Sequence, residues 1–145
     1  MSVYLSPELK ASTVAGMLWG LYLMFELNYE LALSNVFAKL YAGHPGIVPY
    51  LWLAFTLVGV VMGGVAGFVV GITFVKTKDH IPGHSIFVKA SLLGVALWIP
   101  EAILLLITGE SLIHLDALGI DLVGNLIASA VFSSLLQRWS PRANT

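Results

Sequence analysis

The chain has 145 residues, 58% of them hydrophobic and only 10% charged, with a formal net charge of −1. A soluble domain is about a quarter charged, so this supply does not furnish an aqueous surface, and no basic excess is present to meet nucleic acid. Cysteine is absent, which excludes disulfides, thiolate metal sites and cysteine nucleophiles. The expected class is all-α: a single-domain, polytopic integral membrane protein built as a four-transmembrane-helix bundle.

The first helix is predicted from Pro7 to about Tyr41. Ser6-Pro7-Glu8 supplies a cap, a proline at the first helical position and an acid in the first turn. Gly43, Pro45 and Gly46 stop it. The opening MSVYLSPELK is not the basic start of a signal peptide, and no clear cleavage site follows, so this helix is expected to be retained. Lys10 and Lys39 bracket it at about 44 Å, the span of a bilayer with its headgroups. Glu26 then falls near the midplane, with Glu30 one turn further on. Three-and-four spacing puts Ala15, Trp19, Tyr22, Leu33 and Phe37 on the same face.

The second helix is predicted over about 50–75, a run without charge. Gly59, Gly63, Gly67 and Gly71 stand four residues apart, a glycine-zipper spacing. In water each would cost about 1 kcal/mol against alanine in a helix. In lipid they open a groove that admits another helix backbone. The partner helix belongs either to this chain or to a second copy, and internal packing is the expectation. Tyr50 and Trp52 suit the membrane interface. The polar loop Lys76 to His84 follows.

The third helix is predicted over 85–108 and contains Pro100, which deprives the Ala96 carbonyl of its donor and is expected to kink it. Glu101 comes next, again deep, on a face with Ala90, Gly94, Leu97, Leu105 and Thr108. The fourth helix is predicted over about 117–137, with Asp121, Gly124, Asn125, Ala128 and Phe132 along one side. Four spans place Lys10, Lys76, Lys78, Lys89, Arg138 and Arg142 on one side and Lys39 alone on the other. That asymmetry predicts both termini in the cytoplasm, with the cell (inner or plasma) membrane as the location.

Glu26, Glu101 and Asp121, with Glu30 behind them, are the residues with chemical content. An ionised acid at a helix centre costs about 2.5–3.5 kcal/mol, and no basic residue lies at their depth. They are therefore protonated, hydrogen-bonded to Asn125 or Ser129, bound to a cation, or paired with a base from another protein. Their position predicts a cavity open to the outer side. For Glu30 and Asp121 proximity to water is a sufficient account. Metal candidates are weak: His44, His114 and Asp116 share the outer side without a fixed ligand spacing, and His80 and His84 read as solvated loop residues. The cofactor is left unknown: a mid-depth histidine for haem and Glu-x-x-His pairs for a di-metal site are both missing, and lipid or quinone binding in a groove beside Trp19 and Trp98 is an open reading that no specific motif supports. Nucleophile and phosphate-loop motifs are also missing.

Three functions fit. The first is a non-catalytic membrane subunit that packs through its glycine helix into a homo-oligomer or a larger complex. The second is a proton- or cation-coupled carrier or channel working through Glu26 and Glu101. The third is a membrane enzyme with an outer-face metal. The expected partners are the lipid bilayer and other membrane subunits or copies of itself.

Overall fold

The computed structural model describes residues 6–33, 39, 42, 45–108 and 113–140, with side chains described at these positions except 26–33, 45, 101, 104–106, 108 and 113–118. Every regular element among the described residues is helical: α1 (Pro7–Leu33), a 3-10 turn (Pro45–Ile47), α2 (Val48–Thr77), α3 (Ile86–Thr108) and α4 (Ile113–Trp139). Val48–Thr77 and Gly119–Trp139 are long and apolar enough to cross a membrane.

The elements begin where local chemistry lets them. Ser6 Oγ accepts the Leu9 N–H at 3.4 Å, and Ser85 Oγ accepts the Val88 N–H at 3.2 Å, each capping a helix start. α2 begins at Val48, two residues before expectation. Pro49 falls in its first turn, where a missing N–H goes unnoticed. α4 begins at Ile113 rather than near 117, so Asp116 lies in a first turn, where the helix dipole favours an acid. α3 continues through Pro100 as one helix. Most of 34–41, expected to extend α1, lies outside the described residues.

The helices pair as two hairpins, α1 with α2 and α3 with α4, joined by packing of α1 against α4. α2 and α3 follow one another in sequence but do not pack along their length.

The interior is small and the exterior large. Ala11, Ala15 and Ala90 are buried, as are Ser12, Ser129 and Ser133. Leu53, Leu57, Val61, Val65 and Val69 of α2 stand exposed. Water would reverse this distribution. Hydroxyl groups turn back on their own helices: Thr56, Thr73 and Thr77 donate to the carbonyls of Trp52, Val69 and Thr73 at 2.8, 3.0 and 2.7 Å. That habit keeps a hydroxyl satisfied where water is scarce.

A polar clasp ties three elements at the end that holds the start of α1. Lys78 Nζ donates to Glu8 Oε1 at 3.1 Å, and Lys89 Nζ donates to the Lys78 carbonyl at 2.6 Å. The loop between α2 and α3 turns at Gly83, whose φ of 125° suits only glycine. A Cβ there would also meet Val88 Cγ1 at 2.8 Å. Burial pulls the Glu8 carboxyl up, but hydrogen bonds from its own N–H, from Lys78 and from Ser6, with the Lys78 charge, outweigh that and hold it below the usual carboxylate range. The Glu8 contribution is therefore complete above its unfolded pKa of about 4.3 and is lost as pH falls through the lower folded value. Lys78 is 37% exposed, so the pair contributes less than about 1 kcal/mol. Glu8→Gln is expected to lower the melting midpoint slightly at pH 7 and to have a progressively smaller effect as pH falls below the ordinary carboxylate range, as read by thermal melts in detergent.

Candidate functional site

The glycine side of α2 faces α1. Gly59, Gly63, Gly67 and Gly71 are buried, and their counterparts are Ser12, Gly16 and Gly20, also four residues apart. A Cβ built on Gly16 lies 2.6 Å from the Cα of Gly67, and one on Gly63 lies 2.8 Å from the Cα of Gly20. No side chain fits between these backbones. The helix that enters the glycine groove thus belongs to the same chain. The sequence carries this signal in the Ser12-Gly16-Gly20 spacing, which passes unnoticed beside the longer glycine run of α2.

With α1 drawn onto α2, the other side of α1 meets α4. Gly124 makes room there: its missing Cβ leaves space for Tyr22 Cε1 at 3.2 Å and Trp19 Nε1 at 3.4 Å. Along α4, Asn125 Nδ2 donates to the Asp121 carbonyl at 3.0 Å, and Ser129 Oγ donates to the Asn125 carbonyl at 2.8 Å. Asp121 is half-buried. The Asn125 amide, one of the partners weighed for the acids, thus donates to the Asp121 backbone.

These contacts leave a cleft of about 200 Å³ where α2 and α3 stand apart. α2 and α3 form its sides, with Gly67 and Val70 on one and Gly94 and Trp98 on the other; α1 and α4 close its back with Trp19 and Asn125. Phe74 and Phe132 meet edge-to-face at its foot, with centroids 4.9 Å apart and planes at 78°. Among the described residues the walls are mostly apolar and include no acid. Trp19 Nε1 and Trp98 Nε1 are buried without a hydrogen-bond partner, as is Ser91 Oγ nearby in α3. An unmet buried donor costs about 1–3 kcal/mol, so two at one cleft call for an explanation.

The cleft lies in the half of the bundle that holds the start of α1 and the end of α4, where Gly16, Gly67 and Gly94 leave space. The cavity expected on the outer side around the acids falls on side chains outside the described ones. Glu26 and Glu30 belong to α1, Glu101 to α3, and His114 and Asp116 to α4, but their side chains lie outside the described ones, as does the whole of His44. Among the described residues no three His, Asp or Glu side chains come together as a metal set. His80, His84 and Asp79 are exposed in the loop.

No protein-family model, no curated protein and no solved structure matches this chain. The functional argument therefore rests on its own geometry.

Proposed function

We propose that this chain is a small membrane subunit that crosses the bilayer four times, with both termini and the 78–85 loop in the cytoplasm, and that acts by association rather than catalysis. The observation that supports this reading is the isolation of α2. A 30-residue helix packs along most of its length on α1, meets α4 through Phe74 at one end, and turns a bare apolar wall outward on the side opposite its glycines. Val65 in the middle of that wall is 57% exposed. Lipid covers such a wall adequately, but a second membrane chain covers it with specific packing. The glycine side is engaged by α1, so the surface left for assembly is the opposite one, around Val61, Val65 and Val69. The carrier reading depends on Glu26 and Glu101, and no described contact favours it.

The natural lack of cysteine makes the test clean. Val65→Cys in native membranes is expected to give a cross-linked species with a thiol-reactive bifunctional reagent, and Gly119→Cys is expected to give none. A protein that stays monomeric under every such reagent, and runs as a monomer in mild detergent, overturns the subunit reading. In the same membranes, Asp79→Cys is expected to react only with reagents admitted to the cytoplasmic side.

A further inference from the structure

The cleft between α2 and α3 has features that packing alone does not require. Two consecutive helices with a short connection ordinarily close on one another; these stand apart. The space is lined by all four helices and is not enclosed, and the gap left between α2 and α3 is the route by which a guest would reach it. Its volume of about 200 Å³ exceeds the roughly 150 Å³ of an apolar cavity that takes up benzene. It therefore admits one substituted six-membered ring, and it is too small for a whole lipid. Trp19 and Trp98 each bring an indole N–H that finds no acceptor in the protein, and an indole nitrogen only donates. A guest suited to the cleft is thus flat, neutral, apolar in body and equipped with oxygen acceptors.

We infer that the cleft between α2 and α3 binds the ring of a lipid-soluble quinone, a neutral ring with two carbonyl oxygens, entering from the bilayer. Quinone carbonyls accept hydrogen bonds and donate none, matching the donor-only indoles. Asn125, whose amide nitrogen is engaged with the Asp121 carbonyl, holds its place at the back of the cleft while the two indoles adjust. Both indole nitrogens are covered by neighbouring atoms, so they reach the ring only after the indoles turn about their side-chain torsions. The inference concerns binding alone, with no electron transfer. It rests on the membrane placement proposed above and not on assembly with a second chain.

The test uses the full chain labelled with 5-fluorotryptophan in lipid nanodiscs, where Trp19, Trp52, Trp98 and Trp139 give four fluorine signals assigned by single Trp→Phe variants. The probe is a dimethoxy-methyl-benzoquinone with a ten-carbon tail; the control is decylbenzene, a ring of similar size without oxygen. The expected result is a saturable shift of the Trp19 and Trp98 signals with the quinone alone, while Trp52 and Trp139 stay in place. Trp98→Phe keeps an aromatic wall and removes one donor, and is expected to weaken binding about two- to tenfold, read at Trp19. Gly94→Leu fills the cleft and is expected to abolish the shift, with its thermal melt showing that the fold persists. Three results each overturn the inference: no shift, equal shifts with both probes, or unsaturable shifts of all four signals. Co-elution of the protein with the discs checks membrane insertion independently, so a failure of the membrane placement is told apart from a failure of the quinone site.

Discussion

Gly63→Leu is expected to separate α1 from α2 and to abolish the folded state. The backbones of the two helices touch at this point: the Gly63 position lies against the carbonyl of Gly16, and an added Cβ would come within 2.9 Å of the Gly20 backbone nitrogen. Backbone cannot rotate away as a side chain can, so even a methyl group forces the helices apart. Gly63→Ala and Gly67→Ala are each expected to cost about 1–3 kcal/mol, the range for overpacking a tight interior. The series contains its own controls. Gly64→Ala meets only the flexible Met17 side chain, at 3.1 Å, and is expected to cost less. Gly119→Ala meets nothing within 4 Å and is expected to gain up to about 1 kcal/mol from helix propensity. Denaturation by titrated SDS, followed by circular dichroism, measures the order. Equal effects at Gly63 and Gly119 would remove close backbone packing as the basis of the fold.

Phe132→Ala comes next in size. Phe74 is 2% exposed and Phe132 6%, and their edge-to-face contact ties the end of α2 to the end of α4. Phe→Ala in a soluble core costs about 3–5 kcal/mol. In a bilayer the transfer part shrinks, because the separated helices remain in an apolar solvent. The cavity remains, and so does the loss of the aromatic pair, which adds about 0.5–1.5 kcal/mol. The expected cost is therefore about 2–3 kcal/mol, with Phe132→Leu costing less than half as much because most of the volume is kept. The same SDS titration measures both. Because the pair forms the foot of the cleft, Phe132→Ala is also expected to open the cleft toward the clasp of Glu8, Lys78 and Lys89.

The helical class and the runs long and apolar enough to cross a membrane were legible because they depend on composition and run length, which are local. Charge-free length from Tyr50 to Val75 requires no partner to be recognised, and the Ser6 cap acts within its own turn. The acids were the most conspicuous residues in the sequence, since an ionisable side chain in an apolar run is expensive wherever it points. Of the cleft the sequence offers no more than a groove beside Trp19 and Trp98 without a motif, because its walls come from four separate helices and its chemistry is mostly that of alanine, glycine, valine and leucine. Trp19 and Trp98 gain meaning only once their N–H groups are seen to lack acceptors.

The sequence by itself determined that the chain is helical, that its long runs suit lipid, and that α2 carries a side fit for a helix backbone. It left open which helix would take that side, because small-residue spacing is indifferent to the identity of its partner. Tertiary structure decided this in favour of α1, through the matching spacing of Ser12, Gly16 and Gly20. It also decided that α2 and α3 stay apart along their length: once α1 takes the glycine side of α2 and offers Trp19 to Gly124 of α4, the two hairpins meet mainly through α1 and α4, with Phe74 and Phe132 joining them at one end.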